Sequence, residues 1–138
     1  MDQDLGQIGL AIKRLQVRHQ RGTDELLAPM GVSIAQWDAL RHLREHPNGS
    51  LHDLAQLTFQ TDQAFGALAA RMSERGLIER RTEPGRAVRH RLTAKGEQLE
   101  SEARAVLNEV LQQSLSPLSE EQLLEFAALL RLLVPQAE

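Results

Sequence analysis

Between residues 33 and 93 the chain sets hydroxyl side chains before apolar runs in an order that few folds accept. Ser33, Ser50 and Thr61 each precede a run with helical spacing, where a side-chain oxygen can accept from the free amides of a first turn. The third run fills residues 61–75 and stops at Gly76, a residue suited to left-handed termination. Two strand-like runs follow, 77–82 and 87–92, joined by Glu83, Pro84, Gly85 and Arg86. Helix, helix, short loop, helix and then a tight basic hairpin is the order of a winged helix-turn-helix, an arrangement whose usual partner is DNA. The expected fold class is therefore mainly α with a small β-hairpin wing.

Local detail supports each start. Gln36 stands three residues after Ser33 and completes a capping box, with Val32 and Trp37 at the staple positions. Ile34, Trp37, Leu40 and Leu43 form the expected buried stripe, ended by Pro47, Asn48 and Gly49. Trp37, the only tryptophan, reads as a core anchor or as a stacking surface for a ligand. Asp53 is placed to support the Ser50 cap, and Leu51, Leu54 and Leu57 face inward. Thr58, Phe59 and Gln60 make the turn, after which Phe65, Leu68, Ala69 and Met72 share one face.

The opposite face of that helix is what a DNA groove would meet. It carries Gln63, Gly66, Ala67, Ala70 and Glu74, with Asp62 at the positive end. Gln63 can pair with adenine, Asp62 can accept from a cytosine amine and Ala67 can touch a thymine methyl. Gly66 costs a helix about 1 kcal/mol against alanine. Either the backbone comes close to the bases there or the glycine relieves packing inside the protein. With so few long readers, selectivity is expected to be shared with DNA shape.

Charge is concentrated in the hairpin. Net charge is −3, yet residues 71–91 hold seven arginines against Glu74, Glu79 and Glu83. From Glu97 onward eight acidic residues face only Arg104 and Arg131. A local basic patch suffices to attract phosphate, because screening confines exposed charges to about 8–10 Å. Arg80, Arg81, Arg86, Arg89 and Arg91 can reach phosphates or a narrow minor groove, with Arg86 at the tip. Val88, His90 and Leu92 alternate onto the other face, where His90 reads as a structural histidine.

The flanks look like a pairing device. Leu5, Ile8, Ile12, Leu15 and His19 recur at helical spacing over about residues 4–21, with an interruption expected at 21–24. Leu10 and Val17 mark a second apolar side, a candidate contact for another subunit. Thr93 caps a helix over about 94–115 whose inward set is Leu99, Ala103, Val106, Leu107, Val110 and Leu111. The last helix opens with a capping box, Ser119 and Gln122, and is apolar around most of its circumference. A terminal helix of that kind needs a partner surface, and a two-fold dimer would read a palindromic site.

The chain of 138 residues amounts to about one domain, and its 41% apolar content is ordinary for a globular fold. The domain is expected to occupy residues 1–138, with a DNA-binding lobe at about 33–93 and pairing helices at about 4–28 and 94–134. The acidic, helix-periodic N-terminus does not resemble a secretory leader, and no apolar run is long enough to cross a membrane. Zero cysteines exclude disulfides and thiolate metal sites, which fits a cytoplasmic protein. No phosphate loop, nucleophile elbow or cysteine nucleophile is present, so neither an enzyme nor a bound cofactor is expected. His42 and His46 lie four apart on one helix with His52 and Asp53 near its end, which leaves a metal-sensing regulator open. A winged helix serving as a protein-interaction module is the other alternative: the bland recognition helix favours it and the arginine-bearing wing opposes it.

The segments SIAQWDALRHL, LAQLTFQTDQAFGALAARMSERGLIERR and GRAVRHRLTAKG resemble the MarR family of bacterial transcriptional regulators, most specifically at RGLIERR (residues 75–81) and RLTAKG (residues 91–96). The resemblance covers about residues 32–99. It implies a homodimeric winged-helix regulator, often a repressor, that binds double-stranded DNA and is relieved by a small aromatic ligand. By position it places Thr61, Asp62, Gln63, Gly66 and Ala67 in the recognition helix, Arg86 at the wing arginine and Arg71 as a framework arginine supporting the wing. Arg81 and Arg89 join them as DNA-binding candidates on the hairpin. The family layout also offers His19, Trp37 and Arg41 as the lining of an effector pocket. Two departures stand out: Pro84 occupies the place of a usual wing aspartate, in a loop about two residues shorter, and the recognition helix lacks the usual Ser/Thr and Arg readers.

Overall fold

The computed structural model describes residues 4–47 and 49–134; the expected stop residue Asn48 lies outside them. The order is α1 (Leu5–Leu27), a 3-10 turn (Ala28–Met30), α2 (Ile34–Glu45), α3 (Leu51–Leu57), α4 (Asp62–Glu74), β1 (Ile78–Arg81), β2 (Arg89–Leu92), α5 (Ala94–Leu115) and α6 (Glu120–Leu133). This is the expected mainly α fold with a hairpin wing.

The hydroxyl caps explain where the helices begin. Ser33, Ser50 and Ser119 each close a capping box, with Gln36, Asp53 and Gln122 reaching back to the cap amide. The Thr61 side chain accepts from the Ala64 amide and that of Thr93 from Gly96. The α3/α4 turn is tight enough to hold Phe59 at φ 57°, left-handed geometry that disfavours a bulky side chain. Gly76, at φ 73°, ends α4 and turns the chain into the hairpin.

These starts converge on one core. Ala39, Leu40, Leu43, Leu54, Ala55, Phe65, Leu68, Ala69, Met72, Leu77 and Ile78 are all buried together, so α2, α3, α4 and β1 form a closed lobe. Ile34 and Trp37, placed in the stripe from sequence, are only half-buried. Arg75 fastens α4 to the start of α2: its guanidinium donates to the Gly31 carbonyl at 2.7 Å and to Gln36 Oε1 at 3.2 Å. At the other end Thr93 donates to the Gly76 carbonyl at 2.6 Å while its amide donates to Leu77. α5 starts so close to that point that a Cβ on Gly96 would collide with the Leu77 carbonyl.

Three expectations need correction. The interruption at residues 21–24 does not occur. α1 runs through them because Thr23 and Leu27 are buried, and because Gly22 admits α5: a Cβ there would stand 3.2 Å from Val110. The strands are shorter than 77–82 and 87–92, pairing Ile78 with Leu92 through to Arg81 with Arg89 and leaving residues 82–88 as the wing loop. Leu111, placed inward, is exposed, as are Leu5, Ile8 and Ile12 on α1.

α6 is the extreme case. None of its residues is buried, and Leu124, Leu132 and Leu133 are at least 73% exposed. Transfer of such surface out of water is worth about 25 cal/mol per Å², so a face of this kind calls for a second surface. One buried charge links α5 to the lobe: Glu100, 1% exposed, accepts from Arg44 at 2.6 Å, with Arg104 at 3.7 Å. No described helix is long and apolar enough to cross a membrane.

Candidate nucleic-acid interface

α4 offers a flat, quiet surface. Gln63, Ala67, Ala70, Arg71 and Glu74 are exposed, and Gly66 is half-exposed. Room exists at Gly66: a Cβ would meet only Leu51 Cδ1, at 4.0 Å, an ordinary contact. Packing inside the chain therefore gives the glycine no explanation. Thr61 spends its hydroxyl on the cap. Asp62 is engaged as well, since both its carboxylate oxygens lie 2.9–3.0 Å from Nδ1 of His52 on α3.

The wing divides its arginines between structure and solvent. Arg91 pairs with Glu79 directly across the hairpin at 3.0 Å, and Arg75 is spent on α2. Arg86 stands 3.5 Å from Glu83 at the tip, three-quarters exposed. Arg71, Arg80 and Arg81 are exposed, while Arg89 is half-buried. Arg81, Arg86, Arg89 and Arg91 line one cleft of about 520 Å³ together with His90. An isolated antiparallel bridge joins Ser50 to Arg89. It fixes the start of α3 against β2, and no local sequence signal announces it.

Titratable groups around this face respond to burial and capping. Burial lowers the His90 pKa below the ordinary 6.5, helped by Arg80. Burial also lowers that of His42, against the pull of Asp38. The Ser50 hydroxyl and amide hold the Asp53 carboxyl below its usual range, with smaller help from His52 and Arg89.

The two histidines of α2 gain a neighbour. Ligand atoms of His42, Glu45 and His46 lie within 4.8 Å of one another, a group able in principle to hold a metal. His52 and Asp53 do not join them, the one facing Asp62 and the other accepting from the Ser50 amide. The Arg41 guanidinium stands 3.2 Å from His42 Nε2, which opposes a cation on that side.

His19 makes its contact with α5, apart from Trp37 and Arg41, which meet each other on α2. His19 bonds Ser114 of α5 at 2.7 Å, in a cleft of about 370 Å³ between α1 and α5 that includes Arg18, Gly22, Leu26 and Val110. Trp37 and Arg41 sit together on α2, the guanidinium 5.5 Å from the ring centroid and bound to Asp38. The single chain thus separates the candidates into two groups.

Comparison with known proteins decides what kind of lobe this is. The sequence profile of the MarR family matches residues 30–87. Rv2887, a MarR-family protein of Mycobacterium tuberculosis, has been solved with salicylic acid and with DNA. In the salicylic acid complex it is 27% identical over 96% of this chain and 98% of its own, with a TM-score of 0.76. In the DNA complex the figures are 26%, 96%, 98% and 0.79. Over the lobe and over nearly its whole length the chain is similar to MarR-family proteins. A MarR-family protein from Bacillus stearothermophilus shares the fold at a TM-score of 0.83, with 23% identity over 94% of this chain and 91% of that one. No curated protein matches the sequence.

Proposed function

We propose that this chain is a MarR-family regulator, a ligand-responsive repressor that works in the cytoplasm and binds a palindromic operator as a homodimer. The observation that carries the reading is the exposed arginine set of the wing beside an open α4 face on a sealed lobe. In the proposed complex α4 enters the major groove, where Gln63 reads a base edge and the small residues Gly66 and Ala67 let the helix lie close. Thr61 and Asp62 set the N-terminal end of that helix. Arg71, Arg81, Arg86 and Arg89 face phosphates or the minor groove. The bare apolar faces of α1 and α6 supply the dimer contact.

The effector we assign is a small aromatic acid, the class found with Rv2887. The cleft offers Arg18 and His19 to a carboxylate and Leu26 and Val110 to an apolar body, with Glu25 also on its lining. Trp37 and Arg41 form a second candidate surface.

Titration of duplex DNA from the region upstream of the protein's own gene tests the reading. Salt-dependent binding to a palindrome is expected. Arg86→Ala should weaken it about tenfold and lower the salt slope by about one. Indifference to DNA at low salt would end the proposal.

A further inference from the structure

His52 has no assigned role on a DNA-binding surface, yet its side chain is held in one orientation there. It lies in the first turn of α3 and is 62% exposed. Its Nδ1 faces both oxygens of Asp62, the first residue of α4, at 2.9 and 3.0 Å. An ionised carboxylate only accepts hydrogen bonds, so the proton of this imidazole sits on Nδ1. The other nitrogen, Nε2, has no hydrogen-bond partner among the described residues. The ring is therefore oriented by one nitrogen while the other is offered to solvent.

The place matters as much as the orientation. In a helix-turn-helix the first helix crosses the phosphate backbone, and the N-terminal residues of the second contact base edges. Here those are α3 and α4, and His52 bridges them where α4 would enter the groove. Asp62 alone would set a negative charge against approaching phosphates. A protonated His52 cancels that charge and turns Nε2–H outward. A neutral His52 leaves a lone pair there, which a phosphate oxygen cannot bond.

We propose that His52, positioned by Asp62, is a phosphate-contacting residue of the DNA interface that donates from Nε2 to the DNA backbone when its ring is protonated. The inference rests on the DNA-binding reading above and deepens it. It also changes the part given to Asp62, from reader of a cytosine amine to positioning residue. A further charged neighbour of the ring is Asp53, next to His52 on α3, on which both His52 and Arg89 of β2 act. DNA binding takes up a proton under this scheme, so affinity rises as pH falls.

The test compares the full-length wild type with His52→Ala, His52→Gln and Asp62→Asn, by fluorescence anisotropy on operator duplex at pH 5.5 and pH 8.0 over a series of salt concentrations. At pH 5.5, His52→Ala should bind about tenfold more weakly than wild type and lose about one unit of salt slope. At pH 8.0 the two should differ by less than about twofold. Gln at position 52 can still donate but cannot titrate, so that variant should lose the pH dependence specific to wild type. Asp62→Asn should shrink that dependence and leave the ranking of operator base-pair substitutions unchanged. Equal salt slopes and equal pH dependence in wild type and His52→Ala would overturn the proposal while leaving the regulator reading intact. A change of base-pair preference in Asp62→Asn would also overturn it, restoring Asp62 as a base reader. Absence of any salt-dependent DNA binding by wild type sinks this inference and the function together, whereas wild-type binding weakened by Arg86→Ala and not by His52→Ala sinks this inference alone.

Discussion

The lobe and the outer helices solve opposite problems with the same kind of residue. In the lobe, Leu40, Leu43, Leu54, Phe65 and Met72 vanish from solvent within one chain. On α1 and α6, Leu5, Ile12, Leu124, Leu132 and Leu133 stay more than half exposed. Capping is equally good in both regions, since Ser119 and Gln122 form the same box as Ser33 and Gln36. Local helix chemistry therefore does not distinguish them. What differs is whether the fold brings a second apolar surface to the helix, and no described residue of α6 is buried by its own chain. One region is complete as a monomer, and the other is half of an interface.

The strongest way to break that contrast is to charge the open face. Leu130→Asp with Leu133→Asp is expected to halve the mass in solution. It should also weaken operator binding about 100-fold or more, because the two half-sites no longer act together. The lobe's own thermal transition should remain. Loss of both the dimer and the lobe transition would show that the two regions are not independent. Sedimentation and circular dichroism on one sample decide it.

A smaller effect probes the joint between the regions. Gly96→Ala forces a methyl onto the Leu77 carbonyl at the start of α5, and overpacking of this kind costs about 1–3 kcal/mol. The cost should appear as a lower melting temperature of the lobe, with the dimer retained. An unchanged melting temperature would mean that α5 can slide off the hairpin, and that the joint is looser than its hydrogen bonds through Thr93 suggest.

How much of this was legible in the sequence follows from the range of each interaction. Helix starts at Ser33, Ser50, Thr61, Thr93 and Ser119 were readable because a cap is settled within three residues. The lobe's core was readable at Phe65, Leu68, Ala69 and Met72 by spacing alone. Glu100 was not, although it shares the inward face with Gly96 and Ala103, because its burial depends on Arg44, 56 residues away. The bridge between Ser50 and Arg89 and the contact between His52 and Asp62 are likewise long-range or side-chain events. Gly22 misled for a physical reason: a glycine that breaks an isolated helix is also the residue that lets α5 cross α1. The effector candidates His19, Trp37 and Arg41 came from the family's layout, and the single chain divides them between two elements.

The smallest expected effect bears on why α4 is so bare. Gly66→Ala adds a methyl where only Leu51 stands, at 4.0 Å, and removes a helix-interior glycine. Stability should therefore rise by about 1 kcal/mol. If the glycine exists so that the α4 backbone can approach the bases, the same variant should bind operator several-fold more weakly while its affinity for non-operator DNA stays constant. Stability and specific affinity would then move in opposite directions, a signature of a position shaped by its ligand. A rise in stability with no loss of operator affinity would instead put the whole of sequence selection on Gln63 and on DNA shape read through the wing.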